Sequence, residues 1–327
     1  MRDKLNDIDA LNLKYVEGRN FVWLNIDSPN TEVVRKLPQI YPFHQLDIED
    51  CLSRTQLPKI DEYPDYLFII VHFPRYLKER RYSVASQVSI FLGRDFLVTI
   101  HTGELKPINR LFERCRQEGA SSTELLSRSS TFLLYRLLQA LARNLFQMSG
   151  KILSNIETIE SRVFDEKVEA TREVTELRHD IANLRKTVFP LKRVIHDLEK
   201  KTERFAAEAG HPGIEVTDYF EALADSIDAV WSTIQECKEI IEIYKDTDYI
   251  ISSDRTNKIL ALLTIVFTFS IPATVIGTLY GMNVKLPGGS ENALTFFGPY
   301  TTFILIVSVS VSSVVAMYLI FKKIRWL

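Results

Sequence analysis

Two uncharged stretches near the carboxyl end constrain this chain more than any other feature. Residues 259–279 contain no Asp, Glu, Lys or Arg, and a second such run covers 292–321. At 1.5 Å per residue, a helix of 21 residues reaches about 31 Å, matching a hydrocarbon core of about 30 Å. A buried core helix would explain either run alone, but it explains the pair poorly. Pro299 suits the first turn of a helix, so the second span is expected at 299–321 and the first at 259–283. Flanking charge sets the orientation. Arg255 and Lys258 precede the first span, while Lys322, Lys323 and Arg325 follow the second, and basic flanks stay on the cytoplasmic side. Both termini are therefore expected inside the inner (plasma) membrane. Residues 284–298 then form an external loop and 322–327 a basic tail, with Trp326 where an interfacial aromatic anchors in lipid.

The remaining chain is of another character. Residues 1–254 hold 34 bases against 41 acids, and the rest hold six bases against one acid. An acidic soluble part lacks the basic patch that nucleic acid requires, and it suits attraction of cations. Cys51, Cys115 and Cys237 are too far apart for a zinc knuckle and are expected to be reduced thiols. The polar opening residues and the short apolar run 21–26 do not make a signal peptide. Insertion is thus assigned to the two C-terminal spans.

Residues 1–121 read as an α/β domain on the cytoplasmic side. Strands are expected at 21–26, 66–73, 83–92 and 96–101, where Val, Ile and Phe cluster between turn residues. Helices are expected at 31–37, behind the cap Asn30, and at 105–117. Residues 122–213 predict a long helical hairpin, with a kink at Pro190 and a stop at Gly210-His211-Pro212-Gly213. His44, His72 and His101 are scattered. With no glycine-rich phosphate loop and no triad order, an enzyme is not expected.

Residues 214–258 predict a stalk helix. Phe220, Leu223, Ile227, Val230, Ile234, Cys237, Ile241 and Tyr244 alternate at spacings of three and four, as a heptad seam does. Two packings satisfy this seam, one on the chain's own domain and one as a long helix against copies of itself or neighbouring helices. The second is the expectation here. The alternation continues through the first span in Asn257, Leu260, Thr264, Phe267, Ile271, Thr274, Thr278 and Gly281. Lipid does not favour an amide and three hydroxyls on one helical face, but a water-filled axis does. Leu260, Leu263 and Ile271, repeated around that axis, would close it by dewetting. Pro272 removes the helical partner of the Thr268 carbonyl.

At the outer end of this span stands Tyr280-Gly281-Met282-Asn283, followed by a short loop, a final span and Lys322-Lys323-Ile324-Arg325-Trp326-Leu327. Here the chain resembles the CorA family of magnesium channels, whose signature is Gly-Met-Asn at the end of the first of two C-terminal spans. The resemblance extends to His44-Gln45-Leu46-Asp47-Ile48-Glu49-Asp50, to Pro58-Lys59-Ile60-Asp61-Glu62-Tyr63 and to Phe96-Leu97-Val98-Thr99-Ile100-His101. It implies a funnel-shaped homopentamer with a pore lined by the first span, conducting hydrated Mg²⁺ chiefly, with Co²⁺ or Ni²⁺ as further ions, passively. It also implies selectivity at Gly281, Met282 and Asn283, and gating by cytosolic Mg²⁺, with no organic cofactor. The family's acidic external loop is altered to Lys285-Leu286-Pro287-Gly288-Gly289-Ser290-Glu291, which leaves Glu291 as its acid. One regulatory aspartate of the family falls on Ala222, leaving Glu221, Asp225 and Asp248 as candidate ligands. The competing readings are a Zn²⁺ transporter of the same architecture, against which Met282 argues, and a membrane-anchored sensor or scaffold.

Overall fold

A computed structural model describes residues 8, 11, 13–53, 56–117, 119–163, 171–208, 213–282 and 300–323. It divides into two compact units, residues 1–248 and 249–327.

The first unit is built on a six-stranded sheet. Its strands are β1 (Lys14–Glu17), β2 (Val22–Ile26), β3 (Lys59–Glu62), β4 (Tyr66–Leu77), β5 (Tyr82–Gly93) and β6 (Phe96–His101). Their order across the sheet is β1-β2-β6-β5-β4-β3. Only β2 and β6 run parallel, with Val22 opposite Phe96 and Ile26 opposite Ile100. Alternate side chains of a strand point to opposite faces. Val22, Leu24 and Ile26 accordingly join one core with Phe68, Phe91 and Val98, while Trp23 joins another with Leu67, Ile69, Ile90 and Leu97. Both faces are covered, which is why β2 and β6 are buried at every position and read as unbroken apolar runs.

Helices α1 (Thr31–Lys36) and α2 (Gln45–Leu52) contribute Val34, Ile48 and Cys51 to the first core. As expected, Asn30 caps α1, its side chain accepting from the Glu32 amide. Four further helices serve the other face: α3 (Lys106–Arg116), α4 (Ala120–Leu126), α5 (Ser130–Val163) and α6 (Thr171–Glu208). The last of these continues as one helix through Pro190, so the chain does not break at the position where the sequence predicts a kink. Strands β1 and β3 were not anticipated, and β4 continues past residue 73 through Pro74, which pairs with Ala85.

Helix α7 (Gly213–Gly281) is 69 residues long and contains Pro272. The stop expected at 210–213 falls on residues 210–212, outside the described residues, and α7 starts at Gly213. Its seam corrects an expectation. Phe220, Leu223, Ile227, Val230, Ile234, Cys237, Ile241 and Tyr244 are all buried within the single chain, in one core with Leu145 and Ile156 of α5 and with Ile181, Val188 and Leu191 of α6. Polar contacts frame this packing. Asp228 meets Lys192 Nζ at 3.0 Å and His196 Nε2 at 3.2 Å, and Tyr135 stacks on Tyr219 at 4.9 Å. A heptad alternation states that a stripe is buried; it does not state by what. Two partner helices of the same chain already fill the role assigned to other copies.

A buried polar chain fixes the end of the β2–β6 pair. Trp23 Nε1 donates to Thr99 Oγ1 (3.1 Å), and Thr99 donates to Asn25 Oδ1 (2.7 Å). The Gly103 amide donates to His101 Nδ1 (3.0 Å), so Nε2 carries the proton and donates to Asn25 Oδ1 (3.0 Å). Burial pushes the His101 pKa down to about 4. Gly103 has φ +75°, and a Cβ there would lie 2.6 Å from the Asp27 carbonyl oxygen. Cys51, Cys115 and Cys237 are buried free thiols, and burial raises their pKa values to about 12, 11 and 11.

Candidate ion pathway and regulatory carboxylates

The second unit holds the end of α7 and helix α8 (Thr301–Lys323). Both are long and apolar enough to cross a membrane. Helix α8 extends two residues beyond the expected span, and Pro299 lies outside the described residues, as do Arg325 and Trp326. Partial burial in this unit follows one stripe on each helix. On α7 it runs through Ala261, Ile265, Thr268, Pro272 and Ile276, and on α8 through Ile306, Ser310, Val314, Met317 and Phe321. Phe269 meets Phe321 with ring centroids 5.9 Å apart. These are the faces on which the two spans cover one another.

Asn257, Leu260, Leu263, Thr264, Phe267, Ile271, Thr274 and Thr278 are all exposed in the single chain. At 100° per residue their stripe is centred roughly 120° from the covered one. The polar face is therefore not consumed by packing against α8. Its hydroxyls have a particular orientation. Thr264 donates to the Leu260 carbonyl (2.8 Å), Thr274 to Ser270 (2.9 Å) and Thr278 to Thr274 (2.8 Å). Each proton is thus directed at the helix's own backbone, and each oxygen retains only acceptor capacity. A hydrated cation presents O–H donors outward, so a stripe of acceptors is complementary to it.

Gly281 closes α7, and the exposed Met282 donates its amide to the Leu279 carbonyl at 3.3 Å. Asn283 and Glu291 lie outside the described residues. Glu221 and Asp225 are exposed, one turn apart on α7, while Asp248 is half-buried and accepts from the Thr171 hydroxyl at 2.7 Å. The structure does not gather these three. Among the described residues no group of three His, Cys, Asp or Glu side chains is arranged to hold a metal ion.

Two segments of the soluble part do come together. Buried Asp47 of α2 accepts from Tyr63 (3.1 Å) and Tyr66 (2.9 Å), and Lys59 of β3 meets Asp50 at 2.7 Å and Asp61 at 2.6 Å. Burial raises the Asp47 pKa against the lowering effect of the two tyrosine hydroxyls. No spacing in the sequence joins residues 44–50 to 58–63; the sequence marks both only as segments that carry the family resemblance.

The family model described as CorA-like Mg²⁺ transporter protein matches residues 18–323. The cobalt/magnesium transport protein CorA of Thermotoga maritima is 26% identical, over 99% of this chain and 88% of that protein. The putative metal ion transporter YfjQ of Bacillus subtilis is 28% identical, over 83% of this chain and 82% of its own. Among solved structures, the complete CorA magnesium transporter from Methanocaldococcus jannaschii superposes with a TM-score of 0.75 at 20% identity, covering 96% of this chain and 98% of that one. That likeness concerns the fold.

Proposed function

This chain belongs to the CorA-like Mg²⁺ transporter family, and from that premise we propose that it forms a homopentameric channel conducting hydrated divalent cations, chiefly Mg²⁺. Co²⁺, named for the Thermotoga maritima relative, is a further cargo. One observation carries this reading: an exposed stripe of one amide and three hydroxyls on α7, with the hydroxyl protons turned inward and the oxygens left as acceptors. Mg²⁺ sheds water reluctantly and prefers octahedral oxygen coordination, so a pathway offering acceptors to its water shell need not strip it. Weak, uncharged contacts let the ion leave again. Asn283, repeated around the axis beside Gly281 and Met282, supplies the selective ring. Leu260, Leu263 and Ile271 supply the dry constriction. Transport is passive, and the chain sits in the inner membrane with both termini in the cytoplasm, as the basic flanks support.

Gating by cytosolic Mg²⁺ belongs to the same proposal. Glu221, Asp225 and Asp248 are not clustered in one chain, so an ion held by them draws ligands from more than one copy. Such an ion favours the symmetric closed arrangement, and its loss releases it. The decisive experiment is Mg²⁺ influx into liposomes with Asn283→Ala. Loss of flux with the assembly intact is expected; undiminished influx removes Asn283 from the mechanism.

A further inference from the structure

Phe267 stands apart from the other large apolar side chains on the exposed stripe of α7. At 100° per residue it lies about 20° from the centre of the stripe, whereas Leu263 lies about 60° away. It is 66% exposed in the single chain, against 46% for Leu263. Two residues further on, Phe269 turns toward α8 and meets Phe321. Phe267 takes no part in that packing, and among the described residues its ring stacks on no other.

The oxygens of the stripe give this ring its chemical setting. Thr264 and Thr274 are ten residues apart, about 15 Å along the helix. The hydroxyls between them point elsewhere: Thr268 and Ser270 each lie about 80° from the centre of the stripe, and they donate to the Thr264 and Val266 carbonyls. Only Phe267 and Ile271 stand on the stripe in that interval. A hydrated cation therefore meets side-chain acceptors before it and after it, and none within it. The methyl groups of Ile271 offer such an ion nothing. An aromatic ring carries a negative face, which attracts a cation and the protons of its waters.

We infer that Phe267 carries hydrated divalent cations across this oxygen-free interval, presenting a ring face to the ion's water shell from each copy around the axis. The inference rests on the reading of the α7 stripe as the ion pathway. It separates Phe267 from Leu260, Leu263 and Ile271, which supply only a dry constriction. Bulk alone would make the ring one more barrier. Its negative face makes it a station of weak binding, which the ion can enter and leave again.

The test is Mg²⁺ influx into liposomes holding the full-length protein, with Phe267 replaced by phenylalanines that carry one, two or three ring fluorines. Fluorine withdraws negative charge from the ring face and scarcely alters its size. Influx should fall stepwise along this series, and Phe267→Leu should reduce it about threefold or more, with the assembly intact by size exclusion. Equal influx across the fluorinated series, or wild-type influx in Phe267→Leu, overturns the inference. Phe267→Cys tests the underlying reading separately, because Cys51, Cys115 and Cys237 are buried. A positively charged methanethiosulfonate, added in EDTA so that the proposed closing ion is absent, should label the introduced thiol and block influx. Labelling together with a flat fluorinated series would keep the pathway and remove only the role of the ring. Absence of labelling would place residue 267 in lipid and overturn both.

Discussion

The buried seam of α7 makes the sharpest claim about what stabilises the protein. Ile227 and Ile234 are each 1% exposed in the single chain, so truncation removes buried methylenes and leaves a cavity between α5, α6 and α7. Ile→Ala at such a site costs about 2–5 kcal/mol. The two positions are seven residues apart, about 10.5 Å along the helix, far enough for their effects to add approximately. Together they remove about 4–10 kcal/mol, against a total of about 5–15 kcal/mol for a typical domain. Ile227→Ala/Ile234→Ala should therefore melt the first unit at much lower temperature, with loss of helical circular dichroism. Exposed Glu236→Lys should leave the transition within a degree or two. Light scattering on the same samples separates the alternatives. An unchanged melting temperature with the mass falling to that of a monomer would mean that the seam holds copies together, and the reasoning from single-chain burial would fail.

Three other outcomes follow. The His101 pKa lies near 4 in the folded chain and near 6.5 when unfolded, so above pH 6.5 both states are neutral and stability is complete. Below 6.5 the unfolded state takes the proton first, and about 3 kcal/mol is lost by pH 4; denaturant titrations should find that slope flattened in His101→Gln, and an equal slope in both proteins refutes it. Gly103→Ala should destabilise by about 1–3 kcal/mol, because it combines a positive φ with a Cβ pressed on the Asp27 carbonyl; a wild-type midpoint would count against that conflict. Limited proteolysis of the assembled protein should slow as Mg²⁺ rises through the millimolar range, and identical digests at every concentration would remove regulation by the cytosolic ion.

Much of this fold was readable where physics acts locally. The spans announced themselves by length without charge, and β2, β4, β5 and β6 by dense apolar runs, since both sheet faces are covered. Strands β1 and β3 escaped because four residues with sequences Lys-Tyr-Val-Glu and Lys-Ile-Asp-Glu carry too few apolar positions to declare a period. Their charge suits edge strands, which avoid pairing with other chains. The seam was visible as a pattern, but its partners α5 and α6 are distant in sequence and only tertiary packing names them. The stripe on α7 was legible as a polar face, and threonines in a membrane helix commonly bond their own backbone; the structure adds which carbonyl each hydroxyl takes.

The buried α7 seam also has a consequence for biosynthesis. The core that needs Phe220 to Tyr244 cannot close until those residues have left the ribosome, and the apolar run begins at Ile259, only 15 residues later. At about 5–20 residues per second, translation separates the two events by about 1–3 s. Helices α5 and α6 therefore wait with an uncovered apolar face while α7 is made. The interval in which that face is covered runs directly into delivery of the first span to the membrane. Holding factors that shield α5 and α6 and the insertion machinery that receives α7 must then act almost back to back on one helix.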